Sequence, residues 1–262
     1  MKVEYLKITA VFLMLASSSA FAGESVDERW DINADASISI ENIAGSIEIQ
    51  GWDRNEVHLT GTLGNSVDEL EISASDSMLQ ISVVNRNQRN VDSTDLNLMV
   101  PFGASIDASA VSADIEVSGM DNEKLTADSV SGNVDVSASS RRVLIESVSG
   151  DLEFDGQTDR ISAESVSGDL KLSGISAEVS ATTVSGDMEL KAGLIDSGKL
   201  ETVSGDITAV AEISSNGRLT AESMSGDVTI TLPASQAGVF KAQSFSGRIS
   251  TDFGSVDRAK HG

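Results

Sequence analysis

Val148-Ser149-Gly150-Asp151 returns as Val166-Ser167-Gly168-Asp169, as Val184-Ser185-Gly186-Asp187, as Val203-Ser204-Gly205-Asp206 and, with one exchange, as Met224-Ser225-Gly226-Asp227. Looser copies flank the series: Val111-Ser112-Ala113-Asp114 and Val130-Ser131-Gly132-Asn133 before it, Phe245-Ser246-Gly247-Arg248 after it. From Gly132 to Gly247 the glycines are spaced by 18, 18, 18, 19, 21 and 21 residues. A period of this size marks a repeat architecture, in which each unit buries its apolar face only by stacking on its neighbours.

Before each tetrad, apolar or small residues fall at every second place, as in Ile161, Ala163, Ser165 or Leu219, Ala221, Ser223, with Glu164 and Glu222 between them. After the tetrad the alternation resumes with Leu170 and Leu172, Met188 and Leu190, Ile207 and Ala209. That period is a strand's, so each unit reads as strand, sharp corner, strand. Two adjacent positions such as Ser165 and Val166 break the parity, which predicts a bend or bulge entering the corner. The tetrad glycine is expected to supply positive φ there. A β-sandwich of hairpins also gives strand–turn–strand, but it has no reason to keep identical residues at a fixed step. In-register coils do, because they align Val over Val at the ~4.8 Å strand spacing. The expected fold is all-β, a single-stack parallel β-solenoid with coils of 18 to 21 residues; handedness and cross-section stay open.

Residues 1–22 read as a secretory signal: Lys2 and Lys7, the apolar run Ile8 to Ala16, and the small-x-small site Ala20-Phe21-Ala22. The apolar run is too short for the ~20 residues that cross a bilayer, so stable membrane insertion is not expected. Residues 23–110 alternate through Ile38, Ile40, Ile47, Ile49, Val57, Leu59, Leu79, Ile81 and Val83 but repeat poorly, and Ile43-Ala44-Gly45-Ser46 resembles a degraded tetrad. They are expected to form irregular first coils and a cap, continuous with the regular solenoid of 111–262. Asn85 to Asp95 should be an exposed loop. After Phe245 the chain runs to Gly262 with no apolar cap, so the expectation is that a final coil is missing and that end-to-end pairing through an open edge is available.

Without residues 1–22 the chain carries 16 basic and 40 acidic residues, a net charge of −24. Nucleic acid needs clustered cations that neutralise phosphates, so this balance excludes it as a partner and favours cations or cationic surfaces. There is no cysteine, so no disulfide and no lipidated N-terminal Cys; stability outside the cytoplasm rests on packing and hydrogen bonds. With two prolines and 4% aromatic residues, the core must be thin and filled by Val, Ile, Leu and Ala.

The Ser-Val-Ser-Gly-Asp array, Gly51-Trp52-Asp53 followed by Val57 and Leu59, and Val100-Pro101-Phe102-Gly103-Ala104 just before the array resemble the bacterial DUF4097 family. That family is described as adhesin-like, with β-strand repeats. The resemblance covers nearly all of the mature chain and implies a β-helix-like fold in the cell envelope. It supplies no catalytic residues, and fold alone does not establish function.

Three sets of residues invite a chemical reading. Asp151, Asp169, Asp187, Asp206 and Asp227, with Asp114 before them and Asn133 interrupting, form a column that could attract Ca²⁺. The simpler reading is turn chemistry, each carboxylate accepting backbone N–H groups. Two hydroxyl columns follow: an inner one (Ser129, Ser147, Ser165, Thr183, Thr202, Ser223, Ser244), expected to be stacked and mutually hydrogen-bonded, and an outer one (Ser131, Ser149, Ser167, Ser185, Ser204, Ser225, Ser246), expected to cap the turn. His58 and His261 are the only imidazoles, too isolated for a metal centre or a nucleophilic triad, and His58 reads as a surface strand residue. Trp30 and Trp52 read as hydrophobic plugs of the cap. The sequence thus points to no catalytic, cofactor or metal site. The expected role is a non-enzymatic exported scaffold, periplasmic or at the cell surface, that binds a surface, glycan or envelope component. The alternatives are a calcium-dependent binding module and a carbohydrate-active β-helix enzyme.

Overall fold

The computed structural model describes residues 9–11, 23–85, 91–234, 236 and 239–246. Strands β8 (Ser105–Ser129), β9 (Val134–Ser147), β10 (Leu152–Ser165), β11 (Leu170–Ser185), β12 (Met188–Ser204) and β13 (Ile207–Ser225) are each one coil, and each pairs in parallel with the next. β14 (Val228–Thr231) and β15 (Val239–Ser244) continue the two halves of the last described coil against β13. The protein is therefore a parallel β-solenoid, and every coil has two legs joined by the tetrad corner on one side and a far corner on the other.

Inward positions of the two legs build one continuous core. Val134, Leu152, Leu170, Met188, Ile207 and Val228 stack along the first leg, in register and buried. On the second leg Leu125, Val143, Ile161 and Val179 form one column and Ala127, Ile145, Ala163, Ala181, Leu200 and Ala221 another. Such a core suits a chain poor in aromatics; Phe154, fully buried, is its largest side chain. At Gly198 the side chain is absent because Leu219 of the next coil fills its place: a methyl group there would lie 2.5 Å from the Leu219 Cδ1.

The N-terminal end departs from simple stacking. β3 (Ser37–Trp52) pairs in parallel with β8 on one edge and, on the other, with β6 (Met78–Val84) and β7 (Thr94–Pro101). The chain thus lays down β3, returns beneath it, and only then climbs into the array. β5 (Glu69–Ser75) closes the edge of β6 antiparallel, and β4 (Glu56–Leu63) closes β7, with β2 (Glu24–Asp31) antiparallel to β4. A three-residue strand, β1 (Thr9–Val11), lies against β5. Gly45 sits over Ala113 and Ser46 over Asp114, so Ile43–Ser46 does occupy a tetrad corner. Of the run expected as an exposed loop, Asn85 and Thr94 are buried, Thr94 opening β7, and 86–90 lie outside the described residues. Nearly all of the expected export signal and the segment from Gly247 onward also lie outside them.

The tetrad corner corrects the expectation for glycine. From Gly132 to Gly226 only Gly226 of the tetrad glycines has positive φ, at 159°, close to extended backbone; in the degraded corner Gly45 does reach the positive region, at 115°. What requires glycine is the approach of the preceding coil. A methyl group at Gly150 or Gly168 would lie 1.9 Å from the carbonyl oxygen of the glycine one coil before, at Gly186 2.1 Å, and at Gly205 or Gly226 2.0 Å. The inner hydroxyls complete the corner. Gly150 N–H donates to Ser147 Oγ and Gly168 N–H to Ser165 Oγ, both at 2.9 Å, while Ser147 Oγ donates to the Gly132 carbonyl at 3.1 Å and Ser165 Oγ to the Gly150 carbonyl at 3.4 Å. Thr183, Thr202 and Ser223 make the same bond to Gly168, Gly186 and Gly205.

Insertions avoid this corner. Across the tetrad corner the register offset is the same at Thr202–Ser223 before it and at Ile207–Val228 after it, whereas Ser214 to Gly217 swell the far corner between Ile213 and Arg218. The register shifts of β8–β9, β10–β11 and β11–β12 also fall across the far corner.

Gly168→Ala is expected to destabilise the chain by about 3 kcal/mol through overpacking. Gly193→Ala, where the nearest atom to a new methyl is 3.7 Å away, is the control and should leave the unfolding midpoint in urea nearly unchanged. Ser165→Ala should cost about 1–3 kcal/mol by leaving a glycine N–H and a glycine carbonyl without their partner, and Ser165→Thr should restore most of it, as Thr183 and Thr202 already serve there.

Candidate functional site: the columns of the tetrad corner

The aspartate column is a hydrogen-bond ladder. Asp187 N–H donates to Asp169 Oδ1 at 2.8 Å, Asp206 N–H to Asp187 Oδ1 and Asp227 N–H to Asp206 Oδ1, each at 2.8 Å, and Asp169 N–H to Asp151 Oδ1 at 2.9 Å. Asn133 joins it, accepting from Asp151 N–H at 3.0 Å through its amide oxygen, which explains why Asn is tolerated there. Each side chain thus supplies the acceptor that the chain direction change denies to the next coil's amide. Among the described residues no three His, Cys, Asp or Glu groups are placed to hold a metal ion.

The hydroxyl columns divide their labour differently from expectation. From Ser129 to Ser223 the inner column is buried, and its partners are backbone groups of its own and the preceding corner, glycines except for Ala113 beneath Ser129, rather than one another. The outer column, Ser149, Ser167 and their equivalents, is exposed, so the capping falls to the inner one.

An apolar column that the parity reading missed stands beside them on the surface. Val111, Val130, Val148, Val166, Val184 and Val203 are 43 to 48% exposed, and Met224 and Phe245 continue the line at 58% and 86%. The cause is geometric. Ser165 and Gly168 both face inward, so the two residues between them must both face out. Counting inward from both strands toward the corner would have revealed it.

Two residues before the apolar line lies a mainly acidic column: Asp128, Glu146, Glu164, Thr182, Glu201, Glu222 and Gln243 are in register across β8 to β15. Like charges stacked at strand spacing repel. Burial, aided by Glu164 and Asp128, pushes the Glu146 carboxyl above its ordinary value; burial outweighs a hydrogen bond from Ser109 at Asp128, where Asp107 and Glu41 push the same way. Lys199 lies 2.8 Å from Glu201 and Lys241 3.3 Å from Glu222. Between the two columns toward the last coils runs a groove of about 630 Å³, with Val184, Val203, Met224 and Phe245 along one side and Glu201 and Glu222 along the other.

Across the same outer face, four residues before the acids, stand Lys124, Arg142 and Arg160 in register. Arg160 Nε meets Glu178 at 2.6 Å and lowers that carboxyl by its hydrogen bond, and neighbouring Arg141 lies between Glu123, at 3.2 Å, and Asp159, at 3.6 Å. On the other leg Asp135 is raised by burial and by Glu153, Glu116, Asp114 and Asp151.

The remaining sequence candidates lie elsewhere. His58, on β4, meets Asp27 at 2.8 Å and Arg29 at 3.3 Å on the β2–β4 surface. His261 is outside the described residues. Trp30 packs partly buried against the core, as a plug should. Trp52 does not: its Nε1–H donates to the Glu56 carbonyl at 2.8 Å and the Arg54 guanidinium covers its ring at 4.8 Å, so it clasps the β3–β4 turn. No helix among the described residues is long and apolar enough to cross a membrane.

Comparison with known proteins places this architecture. The family model described as Toastrack DUF4097 matches residues 36–262. Similar solved structures include a candidate adhesin of Bacteroides fragilis NCTC 9343 (14% identity, 84% of this chain and 97% of that one covered, TM-score 0.44). A candidate lipid-binding protein of Parabacteroides distasonis ATCC 8503 gives 14% identity, the same coverages and a TM-score of 0.43. A candidate cell adhesion protein of Clostridium sporogenes ATCC 15579 gives 11% identity, 84% and 100% coverage and a TM-score of 0.36. No curated protein matches the chain.

The raised carboxyls set a pH dependence. Asp128, Asp135 and Glu146 hold protons more tightly folded than unfolded, so stability should rise as pH falls from neutrality through their folded values toward the ordinary 3.8 and 4.5. Glu178 and Glu189, both lowered by ion-pair hydrogen bonds, oppose this below 4.5, so the unfolding temperature should peak between neutrality and that value. Glu146→Gln should raise the unfolding temperature at neutral pH and flatten the rise; thermal melts across pH will tell.

Proposed function

Because the chain belongs to the Toastrack DUF4097 family, we propose that it is a non-enzymatic, exported, adhesin-like scaffold whose long face binds an envelope or surface partner. The observation that carries this reading is the sameness of the exposed columns. A β-helix that cleaves a polymer needs different side chains on successive coils, converging on one reacting bond. Here most coils offer an acid and an apolar group at the same two places, with Thr182 and Gln243 standing in for the acid, which is a surface for repeated, additive contact. The aspartates of the column already accept backbone N–H groups, which favours the scaffold over the calcium module. Export is supported by the N-terminal Lys2–Ala22 signature.

Protease treatment of intact cells, compared with cells whose outer envelope has been permeabilised, tests the location. Digestion on intact cells is the result expected of a surface adhesin. Protection until permeabilisation would place the scaffold in the periplasm and remove adhesion. Protection after permeabilisation as well, with the protein in the cytosolic fraction, would overturn export. Release of reducing sugar from isolated envelope polysaccharide would overturn the non-enzymatic role.

A further inference from the structure

The side chains of the exposed apolar column are not needed to close the corner: Val166 contributes only its backbone carbonyl, to Ser185 N–H, and Ser165 bridges the glycine groups. A continuous apolar line on the surface of an acidic protein, rimmed by charge, is the kind of feature that marks an interaction site. From Asp128-Ser129-Val130 onward, four further coils present an acid two residues before an exposed apolar group: Glu146 with Val148, Glu164 with Val166, Glu201 with Val203 and Glu222 with Met224. We propose that these two columns are a docking surface for a basic amphipathic helix of a partner polypeptide, lying along the solenoid axis. This deepens the scaffold reading and rests on it.

Charge decides the sign of the partner. The chain's net charge is −23, and the column flanking the apolar line is acidic over most of its length, so anionic lipid or polysaccharide is repelled and a cationic segment attracted. Lys124, Arg142 and Arg160, on the far side of the same face, hold a basic row to the acidic column by repelling it elsewhere. Spacing decides the conformation. Coils recur at ~4.8 Å, and an α-helix brings a side chain back to the same face every ~5.4 Å. The mismatch is about 0.6 Å per turn, roughly a quarter of a coil over two turns, so one apolar residue per turn stays close to one valine per coil across neighbouring coils and drifts only over the length of the column. Same-face residues of an extended strand recur at about 6.8 Å and lose register within two coils. From Val111 to Phe245 the column covers seven coil steps, about 34 Å, room for roughly 22 helical residues. The groove beside Val203 and Met224 gives larger side chains a seat.

The experiment is a fluorescence-anisotropy titration of the mature chain into a labelled Leu/Lys peptide of about eighteen residues whose pattern makes an amphipathic helix. Its comparators are a same-composition scrambled peptide and a Leu/Glu version. Binding of the patterned basic peptide, with helix gained by circular dichroism, is expected. It should weaken about tenfold in Glu146→Gln with Glu164→Gln, and about tenfold in Val148→Ser with Val166→Ser. All of these residues are on the surface, and a thermal melt of each pair is run beside the titration to check that it folds. Equal binding of the scrambled peptide, or no loss in either pair, overturns the proposal, as does binding of the peptide without helix. Binding of phosphatidylcholine vesicles in place of the peptide, lost in the valine pair, also overturns it and identifies an apolar lipid surface. None of these failures touches the scaffold reading, which stands or falls on the protease and sugar-release measurements.

Discussion

Two backbones can stack at a corner only as closely as their side chains permit, and at the tetrad corner, from Gly132 onward, they stack with no allowance for a Cβ. Glycine lies directly over glycine, so one missing methyl group per coil sets the spacing of the turn. Everything else in the tetrad answers to that approach. A buried hydroxyl bridges the glycine N–H of its own coil to the glycine carbonyl of the one before, and an aspartate takes the next amide. The inner hydroxyl, the glycine and the aspartate form a set of polar groups partnered from coil to coil, which accounts for the copying of those three places.

The fold was legible because a solenoid writes its register into its sequence. The fixed step gave the coil, and the parity of Ile161, Ala163 and Ser165 gave the inward face. What the sequence concealed was the reason behind two of its own letters. Glycine suggests a left-handed turn when a chain is considered alone; its true constraint comes from a neighbouring coil that no local reading contains. The tetrad valine looks like core because most valines are, yet the double step between Ser165 and Gly168 turns it outward. The N-terminal end was legible as strands but not as a path, since nothing in the alternation of Ile38 and Ile81 says that β6 and β7 pass beneath β3. Trp52 misled for a similar reason, its ring being claimed by Arg54 rather than by the core.

The surface inherits the regularity of the interior. Core positions are stacked because they must interdigitate, and the residues between them are stacked because the pleat leaves no choice. Columns of like charge follow, and the chain accepts their repulsion at Asp128, Glu146 and Asp135 where alternation with Lys would have relieved it. Elsewhere it does alternate: Lys171 follows Glu153 in the same column and is hydrogen-bonded to it. The unrelieved columns are therefore a choice of side chains and not a consequence of the fold.

The far corner has the opposite character to the tetrad corner. It absorbs the extra residues around Ser214 to Gly217 while the coils on either side keep their alignment. One edge of the molecule is consequently a fixed ruler and the other a set of independent tabs. For heredity this is a favourable arrangement: unequal recombination between repeats that differ in length still yields a coil whose critical edge is in phase. The gene can lengthen or shorten its array by whole units, and decorate the free edge, without the intermediate products losing the ability to fold.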